Sequence, residues 1–174
     1  MRIRILFGVI ALLFTWSTFV SVTFAQGRNP VIGSLRGLQG VEVMVEDVDP
    51  EAERDGLTRN QLQVIVESEL RKAGIKLLTR EERFSAPGDP FLYIRVATHK
   101  APTEMYGFSI SVQLRQGVAL LRNPSFKTRA VTWHYSTVGI VGASNLQDIF
   151  DHLKDTLDIF INDYLSVNPK HRGT

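Results

Sequence analysis

Tyr106-Gly-Phe-Ser-Ile-Ser-Val-Gln-Leu-Arg-Gln-Gly-Val-Ala-Leu-Leu-Arg122, then Asn123-Pro124-Ser125, then Phe126-Lys-Thr-Arg-Ala-Val-Thr-Trp-His-Tyr-Ser-Thr-Val-Gly-Ile-Val141 is the stretch that decides the fold. In its first arm Tyr106, Phe108, Ile110, Val112, Leu114, Val118 and Leu120 fall on even positions. Ser109, Ser111, Gln113 and Arg115 take odd ones. Side chains alternate across a strand, so this spacing predicts a half-buried antiparallel arm with one apolar face and one wet face. Asn-Pro-Ser predicts the turn, since proline presets φ and Asn and Ser bond locally to the backbone.

The second arm breaks the alternation. Val131, Trp133 and Tyr135 are apolar at odd positions, Val138 and Ile140 at even ones. A one-residue slip moves every side chain to the other face. A β-bulge near Ser136-Thr137 restores the buried face and brings Trp133 and Tyr135 inside. Without a bulge, Trp133 and Tyr135 lie on the outer face and become candidate binding residues.

Upstream, Val41, Val43 and Val45 alternate with Glu42, Met44 and Glu46 and predict a strand. The acidic run from Asp47 to Gly56 invites a calcium loop, but counting from Asp47 puts Ala52 and Thr58 where glycine and glutamate are required. A solvated acidic loop is expected instead. Thr58 and Gln61 make a capping box for a helix through Ala73, with Leu62, Ile65, Val66 and Leu70 as its buried stripe and Gly74 as its left-handed stop. Ile75–Leu78 reads as a short strand, 79–90 as a surface loop, and Leu92, Ile94 and Val96 as a further alternating strand. Ala101 to Glu104 turns the chain into the long hairpin. Ser144 and Gln147 read as a second capping box for a final helix of about five turns, ended by Asn168-Pro169.

The order β-α-β-β-β-β-α predicts an α+β two-layer sandwich. A mainly antiparallel sheet of about five strands carries two helices packed on one face. The other face is left to solvent or a partner.

The amino terminus has Arg2 and Arg4, an apolar run from Ile5 to Phe14, and Thr23-Phe24-Ala25 as a small-residue exit. That pattern predicts a signal peptide at 1–25 and an exported, periplasmic or cell-envelope protein. A flexible lead over 26–34, a single domain over 35–168 and a basic tail over 169–174 follow. The rival is an uncleaved anchor, the one case in which a membrane is expected as partner. The chain has no cysteine, which excludes a disulfide framework and thiol chemistry. The net charge of +2 comes from Arg2 and Arg4; without them 18 basic residues of the 20 face 18 acidic ones. No basic excess remains, so no nucleic acid is expected as partner.

Chemistry-bearing motifs are sparse. His99, His134, His152 and His171 have no partner at metal-ligand or triad spacing, no Gly-x-Ser-x-Gly elbow occurs, and the carboxylates lie in loops or on exposed helix faces. No catalytic residue, cofactor or metal is expected, and the protein is read as a non-enzyme. Gly139 to Ser144, between strand and helix, lacks the Lys-Ser/Thr of a phosphate loop. It marks where a pocket would sit if the chain were instead a small-ligand binder or hydrolase. The candidate partner-binding face is Tyr93, Arg95, Gln113, Arg115 and His134, joined by Glu42 and Met44: aromatic, basic and polar groups on a flat sheet.

Leu57 to Arg80 also resembles the opening of small exported modules such as the amino-terminal domain of the Tol-Pal translocation protein, with relatives in curli secretion and flagellar accessory proteins. The likeness rests on Leu70-Arg71-Lys72-Ala73-Gly74 followed by a short strand closing on Arg80. The resemblance implies an envelope interaction module whose partners are envelope proteins, rather than an enzyme.

Overall fold

The computed structural model describes residues 30–169. The signal-peptide reading and the tail from Lys170 lie outside the described residues. The elements run α1 (Pro30–Gly33), β1 (Glu42–Val45), α2 (Pro50–Arg54), α3 (Arg59–Lys72), α4 (Arg80–Ser85), β2 (Phe91–Ala101), β3 (Met105–Leu120), β4 (Asn123–Gly142), a 3-10 turn (Ala143–Asn145) and α5 (Asp148–Val167). The fold is α+β, with one mixed sheet in the order β1-β2-β3-β4. β1 pairs with β2 in parallel, and the other two pairings are antiparallel.

Four strands stand where about five were expected. Ile75–Leu78 contributes a single bridge, Val41 to Leu77, rather than a strand. Ile75 and Leu78 are buried all the same, so their apolar character serves the core from an irregular segment.

The even residues of β3 fill the core face: Tyr106, Ile110, Val112 and Leu114 are fully buried and Phe108 nearly so. α5 supplies the opposing surface through Ile149, Leu153, Leu157 and Phe160, and α3 adds Leu62, Val66 and Leu70. Thr58 caps α3 through the expected box, its hydroxyl accepting from the Gln61 backbone N–H. Gly74 takes φ +76°, the left-handed stop.

The second arm corrects the expected register. Leu114 pairs with Trp133 and Arg115 with Val131, so the extra residue is Thr132, not one near Ser136-Thr137. Trp133 does turn inward, at 3% exposure, and Tyr135 shares its side of the sheet but stays half-open at the edge. Val138 and Ile140 do not return inside; they are 78% and 71% exposed. The core-facing residue between them is Gly139, paired with Phe108, whose ring occupies the space above it. β3 already fills that part of the core, and nothing is left for β4 to supply.

The turn also moves. Leu120 pairs with Asn123, leaving Leu121-Arg122 as the turn, while Pro124, Ser125 and Phe126 bow out before Lys127 rejoins the ladder at Ala119.

Four further expectations are corrected. The expected surface loop over 79–90 begins as α4, capped by Thr79 and Glu82 in a second reciprocal box. The acidic loop contains α2, capped by Asp49. The final helix starts at Asp148 rather than Ser144, and Gln147 donates instead to the Gly56 carbonyl at 3.3 Å. Within the expected flexible lead, Pro30–Gly33 is one helical turn, and Ser34 donates to the Thr132 carbonyl at the bulge.

Candidate interaction face

The odd residues of β2 and β3 and the even residues of β4 after the bulge point away from α3 and α5. Across this outer face, register places Met44, Tyr93, Gln113 and His134 in one row. Arg95, Ser111 and Ser136 form the next row, and Phe91, Arg115 and Val131 the row on the other side. All five residues singled out from the sequence therefore share one face.

Side-chain bonds knit the rows together. The Arg115 guanidinium lies 3.9 Å from the centroid of the Tyr93 ring, a cation–π stack. Its Nη2 donates to Gln113 Oε1 at 2.8 Å, and Gln113 Nε2 donates to Ser111 Oγ at 3.1 Å. The Tyr93 hydroxyl donates to Glu46, which also faces Arg95 Nε at 3.5 Å. The bond to Glu46, with burial second, raises the Tyr93 pKa above its ordinary value. His134 is exposed and lies directly across from Gln113.

One corner of this face is covered. Arg83 of α4 is 5% exposed, with its guanidinium 4.4 Å from the Phe84 ring and 5.1 Å from Phe91. Its Nε stands 2.8 Å from Glu42 and 2.9 Å from Asp89, contacts that are ionic without being aligned as hydrogen bonds. Glu42 is thus taken out of the open face, and the short helix protects the β1 side.

At the opposite end the face turns apolar. Val138 pairs with Ser109 and Ile140 with Gly107, next to Ala97 and His99 of β2. These two β4 residues were not among the sequence candidates, because the misplaced bulge put them inside. Gly139 was the available signal: a residue without a side chain opposite Phe108 yields that core space to the ring, and strand alternation then turns its neighbours Val138 and Ile140 outward.

The Gly139 to Ser144 segment is not a loop. Gly139–Gly142 continues β4 and Ala143 N–H bonds to the Glu104 carbonyl. The first turn of α5 carries Asp148 and Asp151, so its own carboxylates already occupy the positive end of the helix. Shallow, open depressions occur elsewhere, for example between Val64, Ile65 and Phe150 on α3 and α5.

A further polar cluster lies at the β2–β3 turn. Asp55 accepts from the buried Tyr106 hydroxyl at 2.7 Å and from Lys100 Nζ at 3.0 Å. Burial, then the bond to Asp55, pushes the Tyr106 pKa up to about 12. The Tyr106 hydroxyl bond, then Lys100, holds the Asp55 carboxyl below its ordinary range. A phenol held protonated at every ordinary pH acts as a strut between α2 and the sheet.

Among the described residues no group of three or more His, Asp or Glu side chains is placed to hold a metal ion, and no helix is long and apolar enough to cross a membrane. No family model matches the chain, and no curated protein or solved structure is significantly similar to it.

Proposed function

We propose that the chain is an exported, non-enzymatic interaction module that binds a protein of the cell envelope through its outer sheet face. One observation carries this reading: α3 and α5 saturate one side of the sheet, while the other presents a pre-bonded Tyr93–Arg115–Gln113 network next to exposed Val138 and Ile140. In this two-layer sandwich a stacked arginine and an anchored glutamine are ordered before binding, so less side-chain entropy is lost when a partner arrives. Aromatic and arginine groups are also the residues that dominate binding energy at protein interfaces. Export is supported by the basic, apolar and small-residue amino terminus. The likeness of Leu57 to Arg80 to envelope modules points the same way. The rival, a ligand pocket at Gly139 to Ser144, draws no support from a segment that continues β4.

The test is a photo-crosslinking residue at Gln113, compared with one at Val64 on the far side of α3. Capture from envelope extract is expected to give a reproducible adduct at Gln113 alone, lost on Arg115→Glu. No adduct above background at Gln113, or the same adducts from Val64, would overturn the reading.

A further inference from the structure

The hairpin is charged and shaped unlike the body that carries it. β2 begins at Phe91, opposite Arg115, so beyond that point β3 and β4 run on as a two-stranded arm with no third strand beside them among the described residues. From Met105 to Gln147 there is no carboxylate, although the chain holds 18 of them; the same stretch carries Arg115, Arg122, Lys127 and Arg129. The base of the arm is pinned. Gly117 N–H donates to the Gly88 carbonyl at 2.6 Å, Gln116 donates to Thr132 Oγ1 at 2.7 Å, and Arg129 pairs with Asp89.

The tip is free and apolar. Leu121 is 99% exposed and Phe126 54%, with Arg122 and Lys127 between and beside them. Neither of those two cations forms an ion pair among the described residues.

We infer that this tip docks on an anionic lipid surface, with Leu121 and Phe126 in the headgroup–acyl boundary and Arg122 and Lys127 on lipid phosphates. Apolar side chains with flanking cations are what that boundary accepts, and juxtaposed Lys and Arg are drawn to a negative leaflet. Shape favours lipid over an acidic protein. A narrow projecting tip buries little against a flat protein surface, whereas a fluid boundary closes around it on every side. The rest of the charge orients the contact. The exposed Asp148, Asp151, Asp155 and Asp158 of α5 begin at the end of β4 far from the turn, so repulsion from the same surface turns the body away and the tip forward. The contact is separate from the outer sheet face and does not depend on it.

The chain has no cysteine, so Ser125→Cys and Val64→Cys each give a unique position for a polarity-sensitive fluorophore. The full chain is mixed with phosphatidylcholine vesicles with and without ~30% phosphatidylglycerol. The expected result is a blue shift at position 125 on the anionic vesicles, weakened by salt, and none at position 64. Arg122→Gln and Lys127→Gln are each expected to weaken the apparent partitioning about fivefold, and Leu121→Ser to remove the blue shift while leaving the melting temperature unchanged. Equal emission at both positions overturns the inference, because an anchored amino terminus alone would not favour the tip. A shift indifferent to phosphatidylglycerol, or one produced only by polyglutamate and not by vesicles, overturns it as well.

Discussion

Gly139 lies directly beneath the Phe108 ring: a Cβ placed there would stand 2.5 Å from Phe108 Cζ. The ring has little freedom to retreat, since Phe108 is 5% exposed and stacks on His152 with centroids 5.1 Å apart. Gly139→Ala is therefore expected to destabilise the fold by about 1–3 kcal/mol, as overpacked cores do. The double variant with Phe108→Leu should recover part of that loss. Denaturant titration checks it; additive losses in the double variant would show that the two residues do not compete for space.

Trp133 joins β4 to α5 in two ways. Its Nε1 donates to Asp163 Oδ2 at 2.8 Å and its ring meets Phe160 edge-on at 5.1 Å. Trp133→Phe keeps much of the packing and should cost about 1–2 kcal/mol through the lost charge-assisted bond. Trp133→Ala should cost about 3–5 kcal/mol. If Asp163→Ala lowers stability by as much again in the Trp133→Phe background, the bond is not the reason.

The Tyr106–Asp55 strut has opposite pH limits for its two members. The Tyr106 pKa is raised, to about 12, so its contribution is complete below about pH 10, where the unfolded phenol begins to ionise. It is lost as pH climbs through about 12. The Asp55 pKa is lowered, so its contribution is complete above the ordinary carboxylate range and disappears as pH falls through the depressed value. The melting-temperature advantage of the wild type over Tyr106→Phe should be flat at neutral pH and shrink only on the alkaline side and in acid. An advantage that varies between pH 6 and 9 would point to another titrating group.

Arg83 is held between two carboxylates and two aromatic rings. Replacing it with Met leaves Glu42 without its cation and leaves Asp89 with Arg129 alone. Removing one partner of a fully buried pair costs about 3–5 kcal/mol, and the partial solvent access of these carboxylates lowers the expectation to about 2 kcal/mol. Arg83→Lys should rescue little, because an ammonium cannot lie flat between Phe84 and Phe91. Equal stability of the Lys variant and the wild type would count against the stacking.

How much of this was legible depends on whether a signal is local. The Thr58–Gln61 box, the α3 stripe and the alternation of β3 are each written within one element, and each led to the right structure. The bulge is a relation between two strands, and apolar character alone could not locate it. Val138 and Ile140 looked like core, yet the space they would have filled belongs to Phe108 above Gly139. Ile75 and Leu78 show the converse, apolar residues buried without a strand. The Thr79–Glu82 box was readable, but α4 has only Phe84 as a large apolar group and no stripe to draw attention to it. The shared face of Tyr93, Arg95, Gln113, Arg115 and His134 was recoverable because the bulge at Thr132 preserves the parity at His134 that a later one also would. The basic arm was present as a long carboxylate-free stretch, which whole-chain charge conceals.

The two rims of the sheet differ in a way that governs how this protein can associate with itself. The free side of β1 is closed: Arg59 Nε donates to the Val45 carbonyl, Gln63 Nε2 to the Val43 carbonyl, and Val41 bonds with the segment around Leu77. Beyond β4 no described strand pairs, and Ser34 reaches its backbone at Thr132. Among the described residues β4 is thus the rim left open along its length. Two copies joined edge to edge through β4 would cover that rim in each, and the joint sheet would end on both sides in the capped β1 and the short run of β2 beyond Ile94, a poor template for growth into a fibre.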